Sequence, residues 1–203
     1  MSAPPKTVLH ADPAEAATIR AAVRAGDVSG LGEGRVVAGP AHVPALVLFL
    51  SDPAVSAPIY DLPNPVTSET VSAWVAEATR RQAAGEGLLV LTLDPDGAVV
   101  GYSYFTVWPE RASAEIAGAM RADRQSSGAG KTGAAHSFGW MFDHLGARLI
   151  GLTAATDNVR SARVIEAAGF VPMGEREAVR ADGSVRRSLY WEMTRDAWRA
   201  KYG

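Results

Sequence analysis

Apolar residues along this chain recur with two periods, three to four residues in some segments and two or none in others, and their order sets out the elements. Residues 12–24 have the marks of a short first helix, with Asp12 as N-cap, Pro13 in the first helical position and Gly26 as stop. The glycine-rich stretch 26–34 reads as a linker, and it is followed by a strand at 35–38 and a helix around 42–50. Thr67 caps a further helix in which Val71, Trp74, Val75 and Ala78 recur at i, i+3, i+4 and i+7 and which ends near Gly85, so its apolar stripe is predicted to pack on a sheet. Strands at 88–93 and 98–107 flank Asp94-Pro95-Asp96-Gly97, a strong hairpin signal, and Trp108–Arg111 turns the chain into a third strand at 113–120. A helix over about 130–145, with Phe138, Met141, Phe142 and Leu145 on one face, leads to a strand around 149–154. A closing hairpin, 171–180 and 185–193, turns at Ala181-Asp182-Gly183-Ser184, and Trp198 sits in a C-terminal cap.

Between the third strand and the next helix stands Gln125-Ser126-Ser127-Gly128-Ala129-Gly130-Lys131-Thr132, which admits two phosphate-binding readings. As Gly-x-x-x-x-Gly-Lys-Ser/Thr it is a nucleotide P-loop whose first glycine is replaced by Gln125. As Gln/Arg-x-x-Gly-x-Gly it is complete. In both, small residues let backbone N–H groups point at phosphate oxygens where a helix begins and its dipole favours negative charge. Context disfavours the P-loop. The preceding residues, Met120-Arg121-Ala122-Asp123-Arg124, make a poor buried strand end, and the best apolar run ending in an acid, 88–94, lies upstream instead of downstream.

After the helix and the strand at 149–154 comes Asp157-Asn158-Val159-Arg160-Ser161, leading through a helix to Gly169-Phe170. A terminal glycine suits a left-handed helix end, and Asn158 suits an N-cap. Taken together, the Gln-x-x-Gly-x-Gly loop, the strand, the Asn-x-x-Ser helix and its Gly-Phe end resemble the GNAT superfamily of acyl-CoA-dependent N-acetyltransferases, in particular its RimJ/RimL-type branch. The resemblance covers about 170 residues, from Gly34 onward, and divides the chain into an N-terminal helical extension and linker (1–33) and an N-acetyltransferase domain (34–203). It implies an α/β (α+β) fold with a mixed, mostly antiparallel central sheet flanked by helices, and acetyl-CoA held where two strands splay apart.

By that resemblance the pantetheine arm pairs with the backbone at Gly118 and Met120, the Met120 N–H polarises the thioester carbonyl, and Gln125, Ser126, Ser127, Gly128, Ala129, Gly130 and Lys131 hold the pyrophosphate. Asn158, Ser161 and Arg163 complete the expected cofactor-binding set. Glu115, a carboxylate inside an apolar strand, is desolvated and is the candidate general base, with an ion pair to Arg111 or Arg124 as its structural alternative. Many family members place a tyrosine acid where this chain has Ile165; Ser161 is then the candidate to hydrogen-bond the sulfur. In the closing hairpin the branch often has Arg-Asp where this chain has Arg186-Arg187, so acceptor recognition is expected to differ. Trp108, Tyr102, Tyr104, Tyr60 and Trp191 are candidates for an acceptor pocket or for core.

Composition narrows the remaining classes. The chain has 203 residues, 47% apolar and 21% charged, with net charge −2. That suits one active domain and gives no reason to expect a nucleic acid partner. No apolar stretch approaches a membrane span and the amino terminus lacks a signal core, so a cytoplasmic protein is expected. There are no cysteines, and the histidines at 10, 42, 136 and 144 have no short paired spacing, so no metal is expected. Arg121, Arg124, Lys131, Arg148, Arg160 and Arg163 gather near the phosphate motif in sequence and are either a solvated face or partners for the phosphates of CoA. The acceptor is an amine, on a small molecule or a protein N-terminus, and the resemblance implies a homodimer. Two other readings remain: a non-catalytic CoA-binding sensor, since the tyrosine is missing, and a P-loop kinase.

Overall fold

Among the described residues seven strands, ordered β1-β2-β3-β4-β5-β7-β6, make one sheet that is antiparallel at every pairing except β4 with β5. The structure is a computed structural model and describes residues 3–57, 59, 61–121, 123, 129–179 and 185–203, with side chains described outside 129–134, 178, 179 and 186. In chain order the elements are α1 (Pro13–Ala25), β1 (Arg35–Val37), α2 (Val43–Leu50), α3 (Pro53–Ser56), α4 (Ser68–Ala84), β2 (Gly87–Leu93), β3 (Val99–Trp108), β4 (Ser113–Met120), α5 (Ala129–Asp143), β5 (Leu149–Ala155), α6 (Val159–Ala167), β6 (Val171–Val179), β7 (Val185–Thr194) and α7 (Arg195–Tyr202). Turns of a few residues can join only antiparallel strands, which accounts for β2–β3–β4. The long connection through α5 returns the chain to the starting end of β4 and gives the one parallel pair.

The caps form as the side chains dictate. Asp12 accepts from the Glu15 N–H at 2.8 Å, Thr67 from the Thr70 N–H at 3.2 Å and Asn158 from the Ser161 N–H at 3.0 Å. Gly26 and Gly85 end α1 and α4 with φ of +60° and +78°. The four-residue α3, with Asp52 as N-cap, follows α2 directly and has no apolar repeat of its own by which a sequence pattern would reveal it.

Both sheet faces are covered, which is why β2 reads as a continuous apolar run instead of an alternating one. On one face Leu88, Val90, Phe105, Ala114, Ile150, Leu152 and Trp191 pack under α1, α5, α6 and α7. On the other, Leu89, Leu91 and Tyr102 pack under α2 and α4. Helix α1 is part of the first cluster, with Ile19 and Val23 at 1% and 0% exposure.

The segment before α1 crosses the far end of the sheet. Arg176 donates to the carbonyls of Ala3 and Pro4, Lys6 Nζ donates to those of Met173 and Glu175, and Arg111 donates to those of Pro5 and Thr7. The Thr7 N–H and the Tyr190 hydroxyl both donate to Glu192, at 3.0 and 2.7 Å. Burial pushes the Tyr190 hydroxyl above its ordinary range. Burial would also raise the Glu192 carboxyl, but the hydrogen bonds from Thr7 and Tyr190 outweigh it and hold the group below the usual value.

Because Ile19 is buried in the same cluster as the sheet, Ile19→Ala should lower global stability by about 2–5 kcal/mol and leave one cooperative transition. Urea unfolding followed by tryptophan fluorescence and far-UV circular dichroism checks this. An unchanged midpoint would mean that α1 is an appendage that unfolds on its own.

Candidate functional site

Strands β4 and β5 are paired for only three residues, Ser113 with Leu149, Ala114 with Ile150 and Glu115 with Gly151. Beyond that point β4 stays on β3 as far as Met120 and β5 stays on β7 as far as Ala155, so the sheet opens between them. The hydrogen-bond alternation shows which backbone groups face the opening. The Arg121 N–H donates to Val100 and the Ala112 carbonyl accepts from Arg148, so odd residues of β4 bond to β3 and even ones face β5. Ile116, Gly118 and Met120 therefore present N–H and C=O groups to the gap. The Arg195 N–H donates to Arg148, which assigns the even residues of β5 to β7 and turns Thr153 and Ala155 toward the gap from the other side. At Gly118 a Cβ atom would lie 2.5 Å from the Tyr102 carbonyl oxygen, so this strand position excludes a side chain.

A cavity of about 790 Å³ passes through the opening and is lined from both faces of the sheet. Ile116, Phe138, Leu152 and Ile165 belong to the face under α5 and α6. Glu115, Ala117, Tyr102 and Thr153 lie on the opposite face, where Val55 and Ile59 close the cavity beside α3. Two molecules can thus enter from opposite sides and meet inside the sheet.

Glu115 is buried, 6% exposed, and accepts a hydrogen bond from Thr153 Oγ1 at 3.1 Å. The ion pair to Arg111 does not form, since Arg111 is directed to the carbonyls of Pro5 and Thr7. Asn158, Ser161 and Ile165 fall on one side of α6 and line the cavity. The Ser161 hydroxyl makes no hydrogen bond among the described residues; its N–H is the group that Asn158 caps. Arg163, two positions on from Ser161 and so roughly 200° around the helix, is exposed and does not line the cavity. Ile165 is buried against the core cluster, so an apolar side chain stands at that point of the wall.

The other expectations divide similarly. Gln125, Ser126, Ser127 and Gly128 lie outside the described residues, as do Tyr60 and Arg124. Ala129, Gly130 and Lys131 open α5, whose last turn packs back toward the paired ends of β4 and β5, so its first residues stand at the open end. Tyr102 lines the cavity; burial and the nearby Asp61 push its hydroxyl above the ordinary range. Tyr104 packs edge-on against Trp74, Trp191 is core, and neither they nor Trp108 line the cavity. Of the basic residues near the motif in sequence, Arg121 pairs with Asp123 at 2.8 Å and Arg160 lines the cavity. Arg148 is not brought to the open end of the gap. Helix α5 carries the chain back before β5 begins, so Arg148 sits where β4 and β5 join and pairs with Glu15 at 2.9 Å. The cavity also includes Arg35, at the start of β1, and Ser188, on β7, neither of which a sequence pattern distinguishes from ordinary strand residues.

No group of three or more histidine, aspartate or glutamate residues that could hold a metal occurs among the described residues. Among them, too, no helix is long and apolar enough to cross a membrane.

Comparison with known proteins agrees with this geometry. Residues 37–171 match the acetyltransferase (GNAT) domain. No curated protein sequence matches the chain. Among solved structures it is similar to a ribosomal-protein alanine acetyltransferase of Vibrio fischeri, with TM-score 0.67, 14% identity and coverage of 81% of this chain and 93% of the other. It is also similar to RimJ of Mycobacterium smegmatis in complex with CoA-disulfide, with TM-score 0.66, 17% identity and coverage of 80% and 81%. A chimera of the Vibrio cholerae spermidine N-acetyltransferase SpeG and hSSAT gives TM-score 0.68, 14% identity and coverage of 82% and 98%. At these identities the likeness is one of fold, while the domain match spans most of the chain: the protein belongs to the GNAT acetyltransferase family, with structural neighbours in keeping with its RimJ/RimL-type branch.

Proposed function

We propose that this protein transfers an acetyl group from acetyl-CoA to a primary amine, on a small molecule or a protein N-terminus, by direct attack without a covalent enzyme intermediate. The observation that carries this reading is the cavity through the sheet, with backbone groups along one wall and a buried carboxylate at its narrow end. Bound acetyl-CoA would supply the activated carbonyl and a thiolate leaving group. The rest of the work falls to the chain. The gap-facing amides of Gly118 and Met120 hold the extended arm as an added strand would, and one of them donates to the thioester carbonyl as negative charge develops there. The motif residues 125–128 and the first residues of α5, Ala129, Gly130 and Lys131, hold the pyrophosphate at the helix start.

Glu115 takes the proton from the acceptor amine, directly or through water. Thr153 fixes the rotamer of that carboxylate from the opposite wall. Ser161 hydrogen-bonds the sulfur as thiolate charge builds; its side chain is half-buried at the cavity edge and its hydroxyl is not used for capping. The neighbours named for alanine of a ribosomal protein and for spermidine both act on amines, which supports an amine here. The division at residue 33, a cytoplasmic location and a homodimer belong to the same reading.

Isothermal titration with acetyl-CoA, CoA and Mg-ATP is the first test: micromolar binding of the two CoA species and no ATP binding are expected, and tight Mg-ATP binding with CoA ignored would end the proposal. Glu115→Gln should keep the fold and acetyl-CoA affinity but lower kcat/KM by roughly a hundredfold, the scale for losing a general base. A variant with the wild-type rate and pH profile on a genuine acceptor would make Glu115 structural. Ser161→Ala should lower kcat with little change in CoA affinity, because the contact matters most in the transition state. Equal losses in both would assign Ser161 to ground-state binding.

A further inference from the structure

Two arginines line the cavity among the described residues, Arg160 and Arg35. Arg160 is engaged with another group. Arg35 is half-buried, and its side chain has neither a hydrogen bond nor an ion pair among the described residues. A guanidinium removed from water without an anion is unfavourable, and burial holds this one below its ordinary proton affinity.

Its place in the sheet indicates what would complete it. Arg35 pairs with Thr92, Thr92 with Gly101, and Gly101 with Met120, so the four residues form one row across β1, β2, β3 and β4. That row is at the open end of the gap, where β4 stops. On the strand alternation Arg35 shares a face with Val37 and Val90, the face under α5. The sheet surface from Met120 to Arg35 spans about 14 Å and is floored by Thr92, Gly101 and Ser103, none larger than threonine. The cavity therefore extends as a shallow trough from the gap to Arg35, beside the end of the sheet from which α5 starts.

We propose that Arg35 is a phosphate-binding residue, the counter-charge at the far end of the cavity for a phosphate group of the bound CoA. This rests on the acetyl-CoA reading above. The arm lies in the gap, and the anionic end of the molecule emerges at the level of Met120, where the trough leads to an unneutralised cation. Glu115 and Ser161 act at the acyl end. Arg35 acts on affinity, through charge and through donors suited to a phosphate.

The test compares wild type, Arg35→Gln and Arg35→Lys for binding of CoA and 3′-dephospho-CoA, and for kcat/KM with S-acetyl-pantetheine, which has no phosphate ester beyond the arm. Arg35→Gln should weaken CoA on the order of tenfold, the scale of a charged hydrogen bond, with kcat/KM on S-acetyl-pantetheine unchanged. Arg35→Lys should recover most of the affinity. A loss seen with CoA and absent with 3′-dephospho-CoA assigns the contact to the ribose 3′-phosphate; an equal loss with both assigns it to the diphosphate. Unchanged CoA affinity in Arg35→Gln, an effect on acceptor KM alone, or equal losses with CoA and S-acetyl-pantetheine would each overturn the proposal. Failure of the wild type to bind CoA would instead overturn the acetyltransferase reading.

Discussion

The rest of this molecule depends on where the pairing of β4 with β5 stops. Three residues of parallel ladder join the two halves of the sheet, and after Glu115 and Gly151 each strand follows its other neighbour, β4 with β3 and β5 with β7. A twisted sheet joined at one end must diverge at the other unless ladder bonds hold it. The divergence takes the gap-facing backbone groups of Ile116 and Gly118 out of the ladder between β4 and β5, which would be costly in a closed core. A ligand with an extended polar chain can satisfy them.

The joined end is correspondingly well fastened. The Ala112 carbonyl accepts from the N–H groups of Arg148 and Leu149, and Thr153 donates across to Glu115 just where the strands part. The segment before α1 adds a second tie. It is bound to Arg111, which precedes β4, and to Glu192, Arg176 and the β6 carbonyls on the other half. Glu115 therefore has a structural part, as a link between the halves, alongside the proton-accepting part proposed for it. A carboxylate held by a neighbouring hydroxyl is also better oriented than one free to turn.

Helices α5 and α6 complete the arrangement because of the direction in which the topology sends them. Helix α5 starts at the open end and ends at the joined one, so its first turn, with the positive end of the dipole, is at the mouth of the gap. Helix α6 starts just past the free end of β5, and its first turn puts Asn158 and Ser161 beside the cavity. Asn158 serves as N-cap there, so this motif residue has a plain folding role.

Much of this was legible in the sequence. The strands around Asp94–Gly97, the Thr67 and Asn158 caps and the stops at Gly26 and Gly85 are local signals, set by backbone conformation and by periodicity within a few residues, and the observed elements follow them closely. Glu115, singled out as a carboxylate inside an apolar strand, and Ser161, singled out through the family resemblance, both line the cavity. Position in space does not follow from position in the chain. Arg148 stands near the phosphate motif in sequence and is carried by α5 to the opposite end of the sheet. Arg35, some ninety residues before the motif, is brought to its end of the sheet by the cross-strand row from β1 to β4. Arg163 is assigned to the solvent by a rotation of the helix, since Ile165, with Ala162 and Ala168, packs against the core and turns Arg163 outward. The sequence by itself determined the elements and the family chemistry, which are local; the tertiary structure decided which charges meet the cavity, since that depends on strand register and helix direction.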